Sequence, residues 1–369
     1  MNSRTISYVG CRGNLVDEAY LMVSQKTFAS YKVVSDARVL GLWYGRQYSR
    51  VSLFGGGTLL PFDSFWIRPN LYNYAFGVGV RELAFSPDFY QKGVVEKTRR
   101  FNFRLLGVRG EQSKQTLQEW GIESEVVGDP CLLLEPRSQK MRNQNLIGIN
   151  LSSFKAIWGH RADKIVSEGI KICNSLRKKG YSIILIPFRE EDPPALREIS
   201  RVTGVPVFDR GNDVLGTLDL IASCKVLIGE LLPSTSFSAA AYTPFVMLSY
   251  QTKCIDFVDT VGFGRYAIRT DEVTCEKVVD LMEDLMSNWN AMQSQLIRNV
   301  EIYRERLRKF ANRIIEDIES RSPESNWSSP SALGEVRWFA YQQIDRRLKG
   351  TSRRVWRLVH RLGDRTHLG

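Results

Sequence analysis

Three segments place charged side chains directly after apolar runs, where a parallel sheet presents them to a ligand. Val108-Arg109-Gly110-Glu111-x-Ser113 sets an arginine between a strand and a helix, a position suited to a carboxylate or phosphate. Ile186-Pro187-Phe188-Arg189-Glu190-Glu191-Asp192 brings one base and three acids to another strand end, and Ser249-Tyr250-x-x-Lys253 follows a buried strand so that Lys253 reaches toward the same space. Gly13-Asn14, with Asp17-Glu18, opens the first helix; its amides can receive an anion, or Asn14 or Asp17 caps the helix. Gly55-Gly56-Gly57 permits close backbone approach or, equally, a tight turn. No Gly-Lys-Ser/Thr follows it, so it is not a P-loop. Gly77 and Gly79 read as close packing, and Gly128-Asp129-Pro130 as a turn.

The elements that must position these groups alternate along the chain. Strands are expected at Ile6–Val9, Val51–Phe54, Phe76–Val80, Leu105–Val108 and Glu125–Val127. After a polar break at Glu135–Asn145 they resume at Leu146–Leu151, Ser182–Pro187, Val205–Phe208, Lys225–Ile228 and Phe245–Leu248. Helical patterns fall between them at Asp17–Phe28, Glu111–Trp120, Ala162–Lys178 and Pro193–Thr203. Strand-helix alternation in two runs predicts two doubly wound, Rossmann-like α/β domains facing a cleft, residues 1–140 and 141–320. One long amphipathic helix is expected from Glu276 to Ile318, closing the second domain. A Ser/Pro-rich linker (321–335) and a basic amphipathic tail (336–369) follow.

Composition narrows the class. The 369 residues are 43% hydrophobic and 25% charged, values of a globular chain long enough to bury large cores without staples. The net charge of +11 is concentrated at the end: Arg346–Gly369 holds eight Lys and Arg against Asp364 alone. A basic sheath around a nucleic-acid-binding core is thereby disfavoured. Six dispersed cysteines without a CxxC pair read as free thiols of a reducing cytoplasm, and three histidines without a Cys/His cluster argue against structural zinc. The first residues lack a signal-peptide pattern, and no apolar run has the length of a membrane span.

Taken in order, GNLVDEA (Gly13–Ala19), LFGGGTLL (Leu53–Leu60), GVRGEQS (Gly107–Ser113), VVGDPCLLL (Val126–Leu134), IGINLS (Ile147–Ser152) and LIGE with AAAYTPFVMLSYQTK (Leu227–Lys253) resemble the polysaccharide pyruvyl transferase family. The resemblance implies a glycosyltransferase B-like architecture. It also implies transfer of a pyruvyl group from phosphoenolpyruvate to two hydroxyls of one sugar, as a cyclic ketal in exopolysaccharide or cell-wall glycan synthesis. That chemistry needs an acid for the methylene carbon, a base for hydroxyl protons, and cations for the carboxylate and phosphate. The scheme calls for no metal or redox cofactor. On this reading Arg109, Arg189 and Lys253 hold the donor with Gly13, Asn14 and Gly55–Gly57, and Glu230 or Asp17 moves protons.

The chain departs from the family pattern at Leu231, Leu232 and Pro233, where members carry Arg-Leu/Met-His, and at Ser152, where many carry arginine. Two alternatives therefore stand beside transfer: a non-catalytic binding or assembly partner, and a glycosyltransferase of the same architecture. The tail, with Val355, Leu358, Val359 and Leu362 on one helical face and arginines mostly on another, is expected to meet an anionic membrane surface. Such contact would place the protein peripherally at the inner face, near a sugar or lipid-linked oligosaccharide acceptor. A solvated tail and nucleic acid are the alternatives.

Overall fold

The computed structural model describes residues 4–10, 15–35, 38–39, 42–43, 49–60, 72–80, 94–137, 142–152, 162–189, 192–209 and 213–321. Gly13, Asn14, the 322–335 part of the linker and the tail lie outside them. In the first half the strands are β1 (Thr5–Val9), β2 (Lys32–Ser35), β3 (Arg38–Val39), β4 (Leu42–Trp43), β5 (Val51–Gly55), β6 (Thr58–Leu60), β7 (Tyr72–Val80), β8 (Leu105–Val108) and β9 (Glu125–Val126). Helices α1 (Leu15–Thr27), α2 (Val94–Arg100) and α3 (Glu111–Glu119) intervene. The second half holds β10 (Leu146–Asn150), β11 (Ser182–Leu185), β12 (Val226–Gly229), β13 (Phe245–Ser249) and β14 (Ala267–Arg269). Its helices are α4 (Ala162–Lys178), α5 (Pro193–Thr203), α6 (Val214–Ser223), α7 (Leu232–Ala240), α8 (Thr252–Thr260), α9 (Cys275–Ser287) and α10 (Trp289–Arg321).

Near-continuous apolar strands such as Val226–Gly229 and Phe245–Ser249 are buried throughout, as a parallel sheet covered on both faces requires. The first sheet has the order β2-β1-β5-β7-β8-β9, with β6 beside β7; the second runs β11-β10-β12-β13-β14. Every pairing within these two sheets is parallel, while β3 and β4 form a separate antiparallel pair. In each sheet the chain winds outward one way and then returns to the other side, at β1/β5 and at β10/β12. Those reversals are topological switch points, beyond whose strand ends open α/β sheets bind ligands.

Local chemistry sets the helix limits. Pro193 and Pro194 start α5, and Gly204, at φ 71°, ends it in the left-handed region with its N–H on Ser200 O. Asp213 caps α6 through the Gly216 N–H at 2.8 Å. Two sequence expectations differ from the structure. The single helix expected from Glu276 to Ile318 is two, because Thr274 starts α9 and Asn288 turns the chain, its side chain donating to Asp284 O at 2.9 Å, before α10 begins. The strand expected at Val205–Phe208 is reduced to one parallel bridge, Val207 with Leu185; Pro206 has no N–H to give a longer ladder.

Helix α10 runs along both halves. Near its start Trp289 Nε1 donates to Lys225 O at 2.9 Å and Asn299 Nδ2 to Val261 O at 3.1 Å. Near its end Asp317 accepts from Tyr74 Oη at 2.7 Å and Arg313 pairs with Glu125 at 2.6 Å. Between them Arg304, 5% exposed, donates to Leu132 O, Leu134 O and Ala240 O at 2.6, 2.9 and 3.0 Å. Five described cysteines are free thiols. Among the described residues, no helix is long and apolar enough to cross a membrane.

Candidate functional site

At the switch point of the second sheet, four polar side chains tie three strand ends together. Asn150, the last residue of β10, accepts from Leu231 N at 3.1 Å and donates to Ile186 O at 2.9 Å. Ser152 Oγ donates to Asp192 Oδ1 at 2.8 Å, and the Ser152 N–H to Glu230 Oε2 at 2.7 Å. Asp192 Oδ2 takes the N–H groups of Phe188 and Arg189 at 2.8 and 2.9 Å, which fixes the backbone from which Arg189 projects. Asp192 thus sits where two backbone amides converge, whereas Glu230, only 1% exposed and directly after β12, accepts the N–H of Ser152.

Burial pushes the Glu230 carboxyl up to about 8; the Ser152 N–H opposes that rise and the nearby Asp192 charge adds to it. Asp192 is likewise raised by burial, against the pull of its hydrogen bonds from Phe188 and Ser152. The result is a carboxyl that keeps its proton at neutral pH beside a strand end, the property of a proton donor.

The other sequence candidates fall into two groups. Lys253, in the first turn of α8, holds its Nζ 4.9 Å from the centre of the Tyr250 ring, and buried Tyr250 feels the charges of Arg189 and Glu230. Tyr250 is thus approached by Lys253 and feels the charges of Glu230 and Arg189, and also that of Arg109 from the first half. Asp17 lies buried in the first turn of α1, two residues after Leu15, whose N–H crosses between halves to Phe188 O at 3.4 Å. Since Asp17 is inside the helix it complements the helix dipole rather than serving as N-cap.

Arg109 belongs to the second group. Its guanidinium, 1% exposed, pairs with Asp129 Oδ2 at 2.8 Å, and its Nη2 lies 3.3 Å from Tyr20 Oη, which itself donates to Asp129 at 2.9 Å. Burial alone would push this guanidinium down; Tyr20, Asp129 and Asp256 outweigh it and hold it above its ordinary value. The expected open cation is thus a residue already paired inside the first half. Nη1, with no hydrogen-bond partner among the described residues, faces Gly79 across space that a Cβ would narrow to 3.2 Å.

Gly55–Gly57 forms a turn between β5 and β6. Gly56 and Gly57 have φ of 63° and 68°, and a Cβ on Gly56 would strike the Tyr20 ring at 2.2 Å. The segment packs on Tyr20, the partner of the Arg109–Asp129 pair. Gly77, at φ 66°, packs on Gly128 O and Pro130. Asp129, expected as part of a turn, caps a short 3-10 helix that begins at Pro130, accepting from Cys131 N at 2.9 Å, and is also the buried partner of Arg109. Asn150 lies in the IGINLS segment that carries the resemblance, without being marked there as a site residue, and Tyr20 carried no sequence signal of its own.

Two facing parallel sheets with their strand ends toward a common space define the glycosyltransferase B-type fold. A Listeria monocytogenes protein assigned as a UDP-N-acetylglucosamine 2-epimerase superposes with a TM-score of 0.55 at 12% identity, over 86% of this chain and 96% of its own. The UDP-GlcNAc 2-epimerase of Neisseria meningitidis gives 0.52 at 11% identity, over 86% and 100%. These likenesses are of fold. The chain belongs to the polysaccharide pyruvyl transferase family, whose model matches residues 13–252. No curated protein sequence matches it significantly.

Proposed function

We propose that this chain transfers the pyruvyl group of phosphoenolpyruvate to a sugar diol as a ketal, with Glu230 as general acid. The observation that carries the reading is the buried Glu230 carboxyl at the β10/β12 switch point, protonated up to about pH 8 and oriented by the Ser152 N–H. Family membership supplies the donor class, and Arg189 and Lys253 supply cations for its carboxylate and phosphate.

In this scheme Glu230 protonates the methylene carbon, and positive charge develops at the central carbon. The first sugar hydroxyl adds there and loses its proton to a carboxylate, the role assigned to Asp17. The C–O bond to phosphate then breaks, and the second hydroxyl closes the ketal as its proton leaves. One hydroxyl proton is balanced by the new methyl group and the other by the departing hydrogen phosphate.

Titration calorimetry of the full chain with phosphoenolpyruvate and with nucleotide sugars tests the donor class. Arg189→Ala and Lys253→Ala are each expected to weaken phosphoenolpyruvate binding by about 1.5–3 kcal/mol, the scale of a charged hydrogen bond. Unchanged affinity in both variants, or heat with nucleotide sugars alone, rejects the assignment. A second reading, sugar binding without turnover, is favoured by one feature: Leu231, 2% exposed, puts a buried apolar side chain where the resemblance places the family's arginine, and Pro233 stands where it places the histidine. Donor binding with no phosphate release in the presence of any sugar acceptor would select it.

A further inference from the structure

Away from Glu230 the two halves touch along a second line. Asp256, on α8 of the second half and 4% exposed, accepts the Gln112 N–H on Oδ1 at 3.0 Å and the Ser113 hydroxyl on Oδ2 at 2.6 Å. Both donors belong to the first turn of α3 in the first half. Ser113 Oγ also accepts the N–H of Val80, the last residue of β7, at 3.1 Å. One carboxylate of the second half therefore completes a helix start and, through Ser113, a strand end of the first.

The fit extends to the backbone. Gly110 precedes α3 in an extended conformation open to any residue, yet a Cβ there would fall 2.1 Å from Asp256 Oδ1 and 2.7 Å from the Asp256 carbonyl oxygen. Space, not torsion, demands glycine at this position. The contact is also economical in parts: a single side chain makes both bonds. Helix α10, by contrast, grips each half through several residues, with Trp289 and Asn299 on one and Arg313 and Asp317 on the other.

We infer that Asp256 is a closing latch between the two halves. When its carboxylate leaves the α3 start, the halves part along the α3/α8 edge alone, while α10, the Leu15 N–H to Phe188 O bond and the core that runs through both halves keep them joined elsewhere. The donors on Gln112 and Ser113 then turn to water, and α8 moves away with Asp256. Closure restores both bonds at once, which makes the edge two-state rather than gradually deformable.

Amide hydrogen exchange on the full chain tests the latch with Asp256→Ala and the milder Ser113→Ala. Peptides spanning 110–119 and 252–260 are expected to exchange roughly ten- to a hundredfold faster, the ratio for losing one hydrogen bond to a charged group. Peptides from β10 and β12 keep their wild-type rates, and the radius of gyration in solution increases. Asp256→Asn, which keeps one acceptor oxygen, falls between. Unchanged exchange at 110–119 in both Asp256→Ala and Ser113→Ala overturns the inference. So does a uniform rise over all peptides in Ser113→Ala, since that identifies the contact as ordinary packing.

Discussion

The Ser152 N–H donates to Glu230 Oε2 at 2.7 Å, joining the segments that follow two adjacent strands of the second sheet. The bond steadies a carboxylate, yet the group remains raised to about 8 because burial outweighs a single N–H. A carboxyl that holds its proton at neutral pH thus arises here without an imidazole. The cost of charging it inside the protein must appear in stability as well as in chemistry.

The sign follows from linkage. Unfolded, Glu230 titrates near the ordinary glutamate value; folded, it holds its proton to about pH 8. Between those values the native state binds the extra proton, so its contribution falls as pH rises and levels off above the folded value. Glu230→Gln is expected to flatten this fall. Relative to pH 4, the variant should gain on wild type by about 3–5 kcal/mol at pH 9. Urea unfolding across pH 4–9 checks it, and parallel curves for the two proteins would refute the raised carboxyl.

Arg304 predicts a different loss. Its three carbonyl acceptors come from segments at 132–134 and from Ala240, so one guanidinium joins the end of the first half to α7 and α10. Lysine offers a point charge without the fork and cannot serve all three. Arg304→Lys is expected to cost about 2 kcal/mol, and Arg304→Met about 3–5 kcal/mol, because buried carbonyls are left unpaired. Denaturant midpoints at constant slope measure both, and a change below the error of extrapolation in Arg304→Met would contradict the clamp.

Much of this architecture was legible in the sequence. Apolar strands such as Leu105–Val108 and the amphipathic patterns of Ala162–Lys178 and Pro193–Thr203 match the structure at their ends. Helix α7 was not legible, since Ser234, Thr235 and Ser236 have weak helix propensity. Their hydroxyls instead turn back onto the carbonyls of Leu231, Leu232 and Pro233 at 2.7, 3.0 and 3.1 Å. Candidate residues at strand ends followed from topology, but their states did not. Glu230 owes its proton to burial and to Asp192, and Arg109 its pairing to Asp129 and Tyr20, neighbours distant in the chain.

Residues 353–365 carry a prediction from sequence alone. The spacing of Val355, Leu358, Val359 and Leu362 against Arg354, Arg357, Arg361 and Arg365 would place the two sets mostly on different faces of a helix, a pattern expected to attract anionic lipid. The full chain is expected to cosediment with anionic vesicles at low salt, to be released as salt rises, and to lose binding when truncated after Leu333. Full-length protein that ignores such vesicles at low salt rules out this membrane contact.

The Arg109–Asp129 pair yields the sharpest distinction between a structural and a binding role. The ions are 2.8 Å apart, with side chains 1% and 0% exposed, so neither charge is relieved by water. The short Nε contact is not aligned along the N–H direction, so the pair relies on Tyr20, which bonds both partners, to complete its geometry. Removing one partner strands the other. Arg109→Met and Asp129→Asn should each destabilise by about 3–5 kcal/mol. Arg109→Met with Asp129→Leu should recover the part due to the stranded charge and not the part due to the Cys131 N–H and the Tyr20 hydroxyl, which lose Asp129 as acceptor. An anion-binding role predicts the opposite pattern: Arg109→Met would keep its stability and lose donor affinity, and the double variant would bind no better. Unfolding midpoints and phosphoenolpyruvate titrations on the same three variants decide between them. Stable Arg109→Met protein with impaired donor binding would return Arg109 to the donor site.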